Sequence, residues 1–154
     1  MIKINVILDN KGWKKYLTNP NRVINKKVKL INSKNKLYRK NLLICSLILS
    51  KNSLLKKLNK KFRNINKSTD ILSFPFYKKN HLKKKIKTEK EVYLGDIIIN
   101  LNKIENKIDK KKFIYELDKL WVHGLVHLFG YMHNKDKEYY NMRKVEKRYL
   151  QYIS

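Results

Sequence analysis

The sequence contains no alanine, one cysteine, two prolines and four glycines, and sets 12 acidic residues against 38 basic ones. Each shortage excludes something. Because Cys45 is alone, no internal disulfide can form, which fits a reducing cytoplasm. No long apolar run is present either: the longest uncharged stretch, Leu120 to Asn134, is too short to cross a bilayer. The opening MIKINVILDN alternates apolar and polar residues and lacks the apolar centre of a secretion signal. At 42% hydrophobic residues over 154 positions, the chain is too apolar to be disordered and long enough to bury a core. The expectation is one soluble, cytoplasmic domain over residues 1–154, with no internal repeat and no membrane partner.

What is present in excess is lysine. Five of the 38 basic residues are arginine (Arg22, Arg39, Arg63, Arg143, Arg148), which leaves 38 − 5 = 33 lysines and a net charge of +26. Such charge suits a polyanionic partner, nucleic acid before an anionic membrane. The absent Ala and the scarce Gly and Pro have GC-rich codons, whereas the abundant Lys, Asn and Ile have AT-rich ones. The expectation is a coding bias behind much of the composition, so the position of individual cations carries more weight than their sum.

Hydrophobic spacing sets out the elements. Ile2, Ile4, Val6 and Leu8 alternate as a strand. Asn19–Asn21 signals a turn, with a helix expected from Arg22. Leu42–Leu49 has strand length, although a buried helix segment has the same pattern. Ser53 is placed to cap a helix running to Phe62, with Leu54, Leu55, Leu58 and Phe62 on its buried face. STDILSFPFY reads as a strand ended by Pro75, Lys78–Glu91 as a solvated loop, and VYLGDIIIN as a strand in which Gly95 marks a close backbone approach. A helix is expected from Lys110 to about Phe129, burying Phe113, Leu117, Leu120, Trp121 and Leu128. A last helix begins at Asp136, with Met142, Val145 and Tyr149 inward. This mixture predicts an α+β fold: one mixed sheet of about four strands packed with helices.

Three of the four histidines fall in WVHGLVHLFGYMH, Trp121 to His133. His123 and His127 are four apart, so on a helix both rings leave the same face. That spacing lets two imidazole nitrogens meet one metal ion at about 2.0–2.1 Å. Gly130 allows a left-handed exit from the helix, which returns His133 to the other two. Three neutral nitrogen donors with one open position describe a catalytic zinc site at the end of a central helix, one ion per chain. The pattern resembles the metzincin spacing HExxHxxGxxH, but Gly124 stands where that motif has its general-base glutamate, which argues against a peptidase. Glu116, two turns before His123, suits a hydrogen bond behind the site or a surface pair, and His81 is read as solvated.

Further motifs extend this pattern. LNKKFRNINKSTDILSFPF (Leu58–Phe76), LGDIIIN (Leu94–Asn100), HGLVHLFGYMH (His123–His133), and Met142 with Glu146 occur in order, and together they resemble the YbeY family from about Leu54 to Glu146. The family comprises metal-dependent, single-strand-specific endoribonucleases of bacterial ribosomal RNA maturation. The resemblance implies an α+β fold, zinc on His123, His127 and His133, and a functional arginine at Arg63. It also implies single-stranded RNA, small-subunit ribosomal RNA and the ribosome as partners, with no DNA, and roles in 3′-end processing and ribosome quality control. One position departs: Met132 stands where the family usually has aspartate before the third histidine, and methionine can neither orient a ligand nor add negative charge.

Arg63 suits this role because guanidinium pairs bidentately with phosphate and stays charged. Thr69 and Asp70 are expected to hydrogen-bond the turn into their strand, while Ser73 could face the site. Lysines around Arg63 and in Lys78–Lys90 offer an electrostatic track. Phe74, Phe76 and Tyr77 read first as core aromatics and second as stacking surfaces. Two alternatives compete with nuclease chemistry: a non-catalytic ribosome-associated factor whose zinc is structural, and a metallohydrolase of another substrate.

Overall fold

β1 (Ile2–Leu8) and β2 (Leu42–Ser50) form because alternate residues can be buried. Ile2 and Ile4 are buried in β1, and Leu43, Cys45, Leu47 and Leu49 in β2. The computed structural model describes residues 1–36 and 38–154. It completes the sheet with β3 (Ile71–Pro75) and β4 (Glu91–Asn100), in the order β1-β2-β4-β3. β1, β2 and β4 are parallel, and β3 runs antiparallel to β4 at the edge. The architecture is α+β with a mixed four-stranded sheet, as the periodicity predicts. Burial pushes the Cys45 thiol up to about 12, so the lone cysteine is an inert core residue.

The helices are α1 (Pro20–Lys34), α2 (Asn52–Arg63), α3 (Lys79–Thr88), α4 (Lys110–Leu128) and α5 (Asp136–Ile153). On one side of the sheet α1, α4 and α5 enclose the main core, in which Ile24, Phe113, Trp121 and Met142 join Leu47 and Ile97. α2 lies on the other side, where Leu55 meets Leu72 and Ile98 in a smaller cluster. α1 and α4 are tied by Lys27, whose ammonium pairs with Asp118 while the Trp121 indole donates to the same carboxylate at 2.9 Å.

Several boundaries differ from the sequence reading. α1 begins at Pro20, two residues before Arg22: Asn19 accepts a hydrogen bond from the Arg22 amide at 2.9 Å, and proline suits the first helical position. α2 begins at Asn52 after Lys51, so Ser53 lies inside its first turn and is not its cap. Lys78–Glu91 is not a loop. It holds α3, anchored by buried Leu82 and half-buried Ile86 one turn on, while lysine's good helix propensity carries the rest. Phe62, expected on the buried face of α2, is 59% exposed. Trp13, in the 3₁₀ turn Lys11–Lys15 that hydrophobic spacing does not reveal, is fully buried and donates its indole N–H to the Ser50 carbonyl at 2.8 Å.

Two features set the edge of the sheet. At Gly95 (φ +130°) the β2–β4 register slips, and a Cβ there would stand 2.1 Å from the Phe74 carbonyl oxygen, so the expected close approach is real. At the C-terminal end of β4, buried Asn100 donates its side-chain amide to Asn52 (2.7 Å), Ser68 (2.8 Å) and the Thr69 carbonyl (2.9 Å). Together with the Asn100 amide bonded to the Asp70 carbonyl at 2.9 Å, this locks the turn into β3.

Candidate metal centre

α4 starts where Asp109 accepts hydrogen bonds from the Lys111 and Lys112 amides, and it buries the face carrying Phe113, Leu117, Trp121 and Leu128. Gly124 lies on that buried face. A Cβ there would come 2.7 Å from Ile97 Cγ2 and 3.1 Å from Ile71 Cδ1. The residue type that removes a metzincin base thus lets the helix sit directly on β3 and β4. No glutamate fits at this position.

His123 and His127 leave α4 half-buried on one side. At its end the Gly130 amide donates to the His127 carbonyl (2.8 Å) and the Tyr131 amide to the Val126 carbonyl (3.4 Å), with Gly130 at φ +82°. This is a Schellman termination, and it turns the chain back as expected. His133 arrives with its ring centre 4.9 Å from that of His127 and 5.8 Å from that of His123. One ligand atom from each of the three lies within 4.8 Å of the others. His81 lies exposed on α3, outside this cluster.

Two of the rings are held from behind. The Nδ1 of His123 meets Glu146 Oε1 at 2.6 Å, and the Nδ1 of His127 meets the Tyr131 carbonyl at 2.9 Å. The carbonyl can only accept, so His127 carries its hydrogen on Nδ1, and Glu146 favours the same tautomer in His123. Each Nε2 then presents a lone pair, and the two stand 3.1 Å apart. Lone pairs facing at this distance repel unless a proton or a cation lies between them. Burial, then the neighbouring His123, lowers the His127 pKa to about 4, which disfavours a proton there. Two nitrogens bound tetrahedrally to one zinc stand about 3.3 Å apart. The donor set therefore fits a metal ion.

His123 and Glu146 also line an open groove of about 1110 Å³ between α4 and α5, whose cations include Lys103, Lys119, Arg143, Lys144 and Lys147. Arg143 Nη1 lies 3.8 Å from Glu146. Glu116 lines the groove too, but it accepts from the Glu105 amide (2.9 Å) and the Asn106 side chain. Burial works to raise its pKa, but these bonds outweigh it and hold the carboxyl below the usual range. It braces the loop before α4 and does not reach the histidines. Arg63 stands exposed at the end of α2, on the other side of the sheet from α4, and does not line this groove. Asp70 accepts from Thr69 Oγ1 and the Ile71 amide, so this pair shapes the turn. Ser73 shares the sheet face of Ile71, toward α4.

The family model for endoribonuclease YbeY matches residues 8–154. The chain belongs to the YbeY family. Endoribonuclease YbeY of Pelagibacter ubique is 38% identical over 99% of this chain and 97% of its own length. Endoribonuclease YbeY of Caldicellulosiruptor bescii is 37% identical over 69% of this chain and 70% of its own. The solution structure of TM1509 from Thermotoga maritima shares the fold, with a TM-score of 0.58 at 23% identity over 98% of this chain and 89% of that one. YbeY membership supports an endoribonuclease role, and the histidine triad can hold a metal.

Of the site, residue spacing alone yields the three histidines and the glycine that returns the third. The Glu146–His123 contact joins residues 23 apart on different helices, and its only sequence signal is the place of Glu146 in the family motif. Arg143, Lys144 and Lys147 carry no signal that separates them from the other lysines and arginines.

Proposed function

We propose that this YbeY protein is a zinc-dependent, single-strand-specific endoribonuclease. It acts in the cytoplasm on the 3′ end of small-subunit ribosomal RNA and in ribosome quality control. The observation that carries the reading is the pair of facing Nε2 atoms, 3.1 Å apart, with His133 beside them.

His123, His127 and His133 would hold the ion. Bound there, zinc would supply Lewis-acid chemistry toward water and the phosphodiester. Glu146 and the Tyr131 carbonyl keep two of the rings in the tautomer and orientation that binding needs. The cations of the α4–α5 groove draw the RNA backbone toward His123. Arg63, exposed at the end of α2, pairs with a phosphate of the strand where it passes the edge of β3.

The test is zinc content and cleavage of single-stranded RNA by the wild type, His127→Ala and Arg63→Ala. The reading requires metal and cleavage to disappear together in His127→Ala. In Arg63→Ala metal is kept and cleavage falls with the weaker hold on the RNA backbone. RNA binding without metal-dependent cleavage would instead identify a non-catalytic ribosome factor, and peptide hydrolysis without RNA hydrolysis another hydrolase.

A further inference from the structure

On the sheet face away from the histidines stand two ring pairs, Phe62 with Phe74 and Phe76 with Tyr93, the two pairs two residues apart along the chain at Phe74 and Phe76. Phe62 closes α2 with its ring centre 5.1 Å from that of Phe74. Phe76, just past β3, is fixed by its amide bonded to the Leu94 carbonyl at 2.8 Å and meets Tyr93 edge-on at 5.7 Å. Phe62 and Phe76 are 59% and 64% exposed. Exposed aromatics grouped on one face like this mark a contact surface.

The surroundings choose the occupant. Lys61 Nζ stands 5.3 Å from the centre of the Phe62 ring, and Arg63 follows it in the chain. Asp96 lies opposite Phe74 in the sheet register, and its carboxylate accepts the Tyr93 hydroxyl at 2.6 Å. A ligand here offers flat apolar faces to the rings and negative charge to the α2 side, keeping that charge away from Asp96. Unpaired nucleotides meet all three conditions: bases stack on aromatic rings, and phosphates pair with Lys61 and Arg63. A duplex hides its base faces, and an aliphatic protein segment has no use for the flanking cations.

β3 is an edge strand of the sheet. Ile71 on one side of that strand meets the helix at Gly124, between the metal histidines and the core, while Phe74 lies on the other side. One extended strand of RNA can cross the edge from the rings to the metal centre. We propose that the rings of Phe62, Phe74, Phe76 and Tyr93 are a stacking platform that holds unpaired bases of single-stranded RNA outside the cleavage site. The proposal rests on RNA as the substrate.

The experiment is an anisotropy titration of a labelled single-stranded oligoribonucleotide with the full chain, in EDTA to keep the RNA intact, across a salt series. Phe62→Ala and Phe76→Ala are each expected to weaken binding at least about five-fold. The slope of log affinity against log salt stays unchanged, because no phosphate-neutralising cation is lost. Phe76→Tyr restores affinity and Phe76→Leu does not, while duplex binding is equal in all variants. Thermal unfolding checks the fold; should Phe62→Ala disturb Phe74, the more exposed Phe76 carries the test. Unchanged affinity in Phe76→Ala overturns the proposal, as does equal loss on duplex RNA. Rescue by leucine also overturns it and points to a protein partner. Metal-dependent cleavage by the wild type is scored separately, so failure of the platform is distinguishable from failure of the nuclease reading.

Discussion

At the scale of single residues, His127 is held in its neutral form. His127 gives its Nδ1 hydrogen to a carbonyl, and burial holds its pKa at about 4 against an ordinary 6.5. Between these values the unfolded chain binds a proton that the folded chain refuses, so folding is penalised as pH falls. The metal-free protein is expected to lose stability from about pH 6.5 down to about 4, with no contribution from this group above pH 6.5. Denaturant unfolding at stepped pH, compared with His127→Ala, measures it. Glu146 acts on His123 from 2.6 Å. Glu146→Ala is expected to lower metal affinity about 10–100-fold, with Glu146→Gln between it and the wild type, read by competition with a chelator. The aspartate missing at Met132 does not leave the site without a carboxylate: Glu146 supplies one, from another helix and to a different histidine.

At the scale of elements, the end of α4 decides whether three ligands meet. Gly130 sits at φ +82°, and a Cβ there would stand 2.8 Å from Lys79 Cβ. Gly130→Ala is expected to cost about 1–2 kcal/mol in the left-handed conformation and to weaken metal binding although every ligand remains. Unfolding and chelator competition on one preparation read both effects. Gly124→Ala presses on Ile97 instead and is expected to destabilise by about 1–3 kcal/mol through overpacking. These elements differ in how openly the sequence declares them. α4 is legible because its apolar face repeats at helical spacing and its end carries glycine. α3 is hidden, because two apolar anchors among lysines look like a solvated loop until Leu82 and Ile86 are seen one turn apart. Phe62 fits the apolar face of α2 by periodicity, yet its ring meets only the half-buried Phe74 among the rings and stays 59% exposed. Periodicity reports which side of a helix a residue occupies, not whether the neighbouring layer extends far enough to cover it.

At the scale of the whole molecule, a charge of +26 is spread over a fold in which two faces meet at β3. The histidines are on one side, with the basic groove of α4 and α5; the exposed rings and Arg63 are on the other. Charge alone binds any polyanion, so RNA affinity is expected to fall steeply with salt, and removing Lys144 and Lys147 together to flatten that slope. Fold class and the histidine cluster are readable from local patterns because each rests on residues close in the chain. The sheet order, Glu146 behind His123 and the placing of Arg63 depend on contacts between distant segments. The central claim is that the histidine triad holds the ion on which RNA cleavage depends. Its most direct test measures bound metal and single-stranded RNA cleavage on the same preparations of wild type and His127→Ala, before and after chelation. The account predicts one ion per chain and cleavage in the wild type, and the loss of both in the variant and in the chelated protein. Undiminished cleavage by metal-free wild type or by His127→Ala would contradict it.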